Sequence, residues 1–175
     1  MFLLKIPPLL FFIFCLLPFG LKSQEVSFPK HSIVLEAGGI GGYGSINYER
    51  AFYLKEKHLL SYKVGFSIFR FKDFERDLNP DLLFPISIQY NRKFNNHRSF
   101  LGVGQTVSSI VKASSDFSSK VRKTRLSLSY IIGYRFQRDN KPFFYQISYT
   151  PIFEQYKTFQ HWGGISFGYS FFQKK

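Results

Sequence analysis

From 162 to 171 apolar and polar positions alternate without a break. Gly163, Ile165, Phe167, Tyr169 and Phe171 fall on one face; Trp162, Gly164, Ser166, Gly168 and Ser170 fall on the other. A strand sends successive side chains to opposite faces, so one side is an apolar, aromatic ribbon and the other is mostly small and polar. The same period recurs over about 32–38, 45–52, 59–71, 84–94, 99–111, 124–136 and 142–153. No segment has helical period. Tight polar turns are expected at 55–57, at Asn95-Asn96 and at Asp139-Asn140. Longer connections are expected at 72–81, where Asn79-Pro80 breaks the pattern, and at 112–123. The glycine-rich stretch 38–44 has no helix after it, as a phosphate-binding loop would need, and is read as a flexible connection. The pattern therefore predicts an all-β chain: an eight-stranded antiparallel up-and-down transmembrane β-barrel with its two chain ends on one side.

Alternation alone does not say which face points inward, because strands of a soluble sandwich or lipocalin-like barrel also alternate. Three features favour apolar outward. The polar face carries Ser, Gly, Asn and Gln with isolated charges, where a solvated face would carry more Lys and Glu. The apolar face is aromatic toward the strand ends. The chain closes on the strand bearing Ile165, Phe167, Tyr169 and Phe171. Arg50, Arg70 and Arg92 share the outward register and each lies near a strand end, where a long side chain reaches head groups. All three are expected at the rims.

The inward register holds Glu36, Glu49, Lys63, Lys93, Arg125 and Arg135. Eight strands enclose a space that side chains fill, and buried charges need partners. A lumen network of Glu with Lys and Arg, centred on Glu36, Glu49, Lys63 and Arg125, is expected to plug the barrel. A salt-bridged plug is preferred to a proton or ion path.

Residues 1–23 carry Lys5 and then an uncharged run from Ile6 to Gly20, ending in a small residue at Ser23. This is the pattern of a cleaved secretory signal peptide; Pro7, Pro8 and Pro18 oppose a permanent span. Residues 24–31 then form a linker and 32–175 the barrel. The single Cys15 lies in the leader, so disulfide, thiolate-metal and thiol chemistry are not expected in the exported chain. The balance is basic, with Lys+Arg 24 against Asp+Glu 11. The charge is scattered singly in an exported chain, so anionic lipid is a more natural partner than nucleic acid. Aromatic residues make up 20% of the chain, which suits a lipid face with interfacial girdles. Neither cofactor nor metal is expected, since no His/Asp/Glu cluster has ligand spacing.

The run LEAGGIGGYGSINYERAF over 35–52, with the aromatic terminal strand, resembles small outer-membrane β-barrel proteins of the OmpX/OmpA transmembrane type. The resemblance implies outer-membrane residence, insertion by the barrel-assembly machinery, a monomer, and roles in adhesion, envelope integrity or host-factor binding. In a few such barrels it implies lipid A modification. Those enzymes place His and Ser near the outer rim. Here only His161 is expected there, and Gly163 stands where a His-x-Ser pattern needs serine; an interfacial His–Trp pair with Trp162 is the simpler account. The chain is accordingly not read as an enzyme. Lys112, Lys120, Arg122 and Lys123 would offer lipopolysaccharide a basic loop, beside a net acidic loop at 72–81.

Overall fold

The computed structural model describes residues 29–55, 57–73, 75–113, 120–139, 141–154 and 159–171. The expected signal peptide 1–23 with Cys15, most of the expected linker, Asp116 and the terminal 172–175 lie outside the described residues.

The strands are β1 (His31–Gly38), β2 (Gly44–Lys55), β3 (His58–Lys72), β4 (Leu78–Phe94), β5 (His97–Ala113), β6 (Lys120–Phe136), β7 (Phe143–Tyr149), β8 (Ile152–Glu154) and β9 (Gly163–Phe171). From β1 to β7 each strand pairs antiparallel with the next, β8 pairs with β6, β7 pairs with β9, and β9 pairs with β1, which closes the sheet into a barrel. β7 and β8 are two pieces of one barrel strand. Their register against β6 is unchanged across the gap, with Ile132 opposite Tyr149 and Ser129 opposite Ile152. The gap falls at Thr150-Pro151, where proline has no N–H to give the ladder. Counted so, the barrel has eight strands.

The alternation of the sequence reappears as alternation of burial. β9 reads exposed, buried, exposed from end to end, and β1 does the same over most of its length. The buried positions are mostly polar, among them Glu36, Asn47, Glu49, Lys63, Gln89, Asn91, Arg135 and Gln146, with a few apolar fillers such as Val34, Phe100 and Phe144. The exposed positions are apolar: Leu35 is 54% exposed, Leu101 57%, Ile132 61% and Ile165 69%. Polar groups thus fill the inside of the cylinder, and its outside is a hydrocarbon surface. This arrangement is opposite to that of a water-soluble barrel.

The tight connections after β2, β4 and β6 lie at the end of the barrel where β1 begins and β9 stops; we call it the turn end. At one of these turns Asn95 takes φ +53°, a conformation asparagine tolerates better than most residues. At the opposite loop end, two expected loops are partly strand. Leu78–Asp81 continues β4, and Lys120–Lys123 continues β6, because β5 and β6 stay paired as far as Ala113 opposite Lys120. At about 3.3 Å per residue, the 17 residues each of β4, β5 and β6 reach about 55 Å, longer than the strands on the β1–β2 and β9 side of the wall.

The 38–44 stretch is more than a flexible connection. Gly39–Gly41 form a short 3-10 turn that folds into the loop-end mouth. Ile40 is buried with Phe100 and Ile131, and its carbonyl accepts a hydrogen bond from Thr106 Oγ1 at 2.8 Å. Gly38 and Gly39 take φ +79° and +71°, which glycine alone adopts without strain, and a β-carbon on Gly39 would strike the Glu36 carboxylate.

Candidate functional site

The lumen is built from two crossing ion pairs. Lys63 Nζ donates to Glu36 Oε2 at 2.9 Å, with both side chains almost wholly buried. Lys63 stands directly opposite Glu49 in the β2–β3 register, yet its ammonium reaches past β2 to β1. Glu49 is engaged from the far wall instead: Arg135 Nη2 of β6 donates to Glu49 Oε2 at 2.5 Å. The other Glu49 oxygen accepts from Ser61 Oγ at 3.0 Å. Arg135 also donates to Gln146 Oε1 through Nε at 3.1 Å and Nη2 at 2.9 Å, and lies 4.1 Å from the centre of the Phe144 ring. A buried guanidinium so held uses its planar fork and its face together.

Glycines make room for the larger fillers. A β-carbon on Gly168 would run into the Phe144 ring, and one on Gly133 into Phe100. The two rings thus fill space that small residues on neighbouring strands leave open.

At the loop end the basic and acidic segments clasp each other. Lys120 Nζ bonds Asp73 Oδ2 at 2.9 Å, Glu75 Oε2 at 2.8 Å and Asp77. Arg122 donates to Asn79 Oδ1 at 2.5 Å and to the Pro80 carbonyl at 3.1 Å. Asp73 Oδ1 accepts the N–H groups of Glu75 and Asp77 at 3.0 and 3.1 Å, which holds the loop in shape. Nearby, Arg70 pairs with the buried Asp81 at 2.7 Å, and the other Asp81 oxygen accepts the Val111 N–H at 2.7 Å. The hydrogen bond from Lys120, with those from the backbone, holds the Asp73 carboxyl below its ordinary value. Asp77, then Glu75 and Asp73, raise the Lys120 ammonium above its own.

The signs decide the clasp's pH range. A depressed carboxyl contributes above its unfolded value and is lost as pH falls through the folded value. A raised ammonium contributes below its unfolded value and is lost as pH rises through the folded one. The clasp should therefore hold from mild acid to strong alkali. Limited proteolysis of 73–79 should accelerate only in strong acid, whereas Lys120→Met should accelerate it at neutral pH. Equal cleavage of the variant and the parent at neutral pH would refute the clasp.

No protein-family model matches the chain, and no curated protein matches it either. Solved structures do. The N-terminal β-barrel domain of Pseudomonas aeruginosa OprF superposes with a TM-score of 0.54 at 14% identity, over 81% of this chain and 95% of that one. The Yersinia pestis outer membrane protein Ail, in a phospholipid bilayer nanodisc, gives 0.52 at 14% identity, over 82% of this chain and 100% of that one. The fold is that of the small eight-stranded outer-membrane barrels.

Within that barrel, the expected lumen set divides. Glu36, Glu49, Lys63 and Arg135 meet in the interior. Arg125 does not: it is exposed, opposite Ser108 on the β5–β6 ribbon. Its register is inward, but it lies two residues beyond Ser127 opposite Glu154, the last β6–β8 pair among the described residues, and away from the central ion pairs. Lys93 sits at the turn end and bonds Asp139 at 2.8 Å, away from the central pairs. Arg98 takes a place the sequence reading did not assign; it is 7% exposed and lies opposite Arg135. Its signal was its parity, hidden because the strand was expected to begin at Ser99 rather than His97.

The four residues of the expected basic loop are also divided by the structure. Lys120 and Arg122 are bound to the acidic loop, while Lys123 is exposed and Lys112 half-buried. Arg50 and Arg92 stand opposite His31 and His58, the first residues of β1 and β3. Arg70 stands near the loop end, with its head on Asp81. His161 Nδ1 shares a hydrogen bond of 2.6 Å with the Tyr149 hydroxyl, and the ring packs edge-on against Phe159.

Proposed function

We propose that this chain is a monomeric outer-membrane barrel with a closed lumen, acting through what its loop end presents and not by solute passage or catalysis. The observation that carries the reading is the filling of the cylinder. Two ion pairs and the Phe100 and Phe144 rings occupy the interior, and the Gly39–Gly41 turn folds Ile40 into the mouth. The exposed apolar outside is suited to hydrocarbon, and a signal peptide and the barrel-assembly machinery would deliver the chain there. His161, bonded to Tyr149 and packed on Phe159, fits an aromatic girdle better than an acyl-transfer site. What projects is the β5–β6 ribbon with its clasp. Lys123 and Arg125 are exposed on it, which suits an anionic surface such as lipopolysaccharide.

The test is electrical and chemical on one preparation. The full chain in planar bilayers is expected to add no conductance steps to the bare membrane; regular steps would overturn the closed lumen. Lys123→Glu with Arg125→Glu is expected to weaken lipopolysaccharide binding several-fold, since it reverses two screened surface charges. Unchanged binding would remove lipopolysaccharide as the ribbon's partner.

A further inference from the structure

All four described histidines share a hydrogen bond with a tyrosine hydroxyl on a neighbouring strand. Three of these pairs are copies of one arrangement. His31, His58 and His97 are the first residues of β1, β3 and β5. Their Nδ1 atoms meet Tyr48, Tyr90 and Tyr134 on the next strand, the first two at 2.5 Å. Directly opposite the histidine stands Arg50 in the first copy, Arg92 in the second and Phe136 in the third. All three lie on the outward face at the turn end.

We propose that His31–Tyr48–Arg50 and His58–Tyr90–Arg92 each bind the phosphate of a phospholipid in the leaflet at the turn end. The proposal rests on the reading of the exposed face as lipid-facing. Arginine is always charged, and its fork fits phosphate oxygens in pairs. Among the described residues Arg50 has no acidic partner, and Arg92 rests on the Phe94 ring, 5.0 Å from its centre. Arg70, which shares the outward register, has its head on Asp81; Arg50 and Arg92 have no such carboxylate among the described residues and keep the guanidinium fork for a ligand. When the tyrosine hydroxyl donates to Nδ1, the neutral ring carries its proton on Nε2, a second donor beside the guanidinium.

The occupant follows from what continues along the wall. Past His31 the outward face of β1 runs through Ile33 and Leu35; past Arg50 that of β2 runs through Tyr48 and Ile46, and all four are exposed. A ligand with its phosphate at the arginine has its acyl chains over this strip. A free phosphate would leave the strip unused. The third copy is a built-in comparison, because Phe136 packs on His97 where a cation would stand.

The experiment counts lipids retained by the full chain when it is released from phosphatidylglycerol bilayers into a mass spectrometer. Arg50→Gln and Arg92→Gln should each lower retention by about half, and together nearly abolish it. Phe136→Arg should raise it by about half again, a gain that damage to the fold cannot mimic. Heat-modifiable gel mobility verifies that each variant is folded. Unchanged retention in the double variant and in Phe136→Arg overturns the proposal. Displacement of the lipid by inorganic phosphate also overturns it, in favour of a soluble anion site. Failure of the parent chain to insert at all would refute the lipid-facing reading itself, a result distinct from an inserted barrel indifferent to these variants.

Discussion

Glu49→Ala is expected to destabilise the folded barrel by about 3–5 kcal/mol, the usual cost of removing one partner from a buried ion pair. The magnitude follows from what remains. Arg135 keeps Gln146 and the Phe144 ring but loses the carboxylate 2.5 Å away. Arg98 lies opposite it across β5 and β6, so two buried guanidiniums would share a wall with one fewer carboxylate. Ser61 would also lose its acceptor. Urea unfolding of the full chain in vesicles, followed by gel mobility, measures the loss. The double variant Glu49→Leu with Arg135→Met should cost markedly less than the sum of the singles, since it removes both charges. Additive losses would show that the two residues act separately and that the crossing bond does not hold the lumen together.

Leu101→Arg is expected to cost about 2–4 kcal/mol in a bilayer, the penalty for a cation facing lipid near mid-depth. Leu101 is exposed on the outward face, opposite Tyr90 and Ile132. In a soluble barrel a solvent-facing leucine would accept arginine within about 0.5 kcal/mol. The same measurement therefore separates the two solvents. Exchanging Val103 for leucine is the neutral control, since it keeps hydrocarbon against hydrocarbon. Arg50 and Arg92 on the same face are consistent with the expectation: both stand at the turn end, where such a charge costs about 0–1 kcal/mol. An unchanged midpoint for Leu101→Arg in vesicles would contradict the lipid-facing reading directly.

Much of the barrel was legible in single strands. The alternation from Gly163 to Phe171 predicted the alternating burial of β9, and the inward parity of Glu36, Glu49, Lys63 and Arg135 was readable in the same way. Arg98 was lost to a boundary two residues off. Arg125 had the right parity and the wrong height. The 38–44 stretch showed its glycines but gave no sign that Ile40 would turn down onto Gly104 and Thr106 rather than out into solvent. The acidic and basic loops were each recognised, but not that Lys120 would sit among Asp73, Glu75 and Asp77.

By itself, then, the chain's order of residues determined the class of fold, the number of wall strands and the solvent each face prefers. These depend on a period of two, which every strand carries within itself. The tertiary structure alone decided which charges meet across the lumen, which lie away from the central ion pairs and which loops close on one another. Those outcomes depend on where a neighbouring strand ends and on what the opposite wall presents, and neither is a property of any one stretch of sequence.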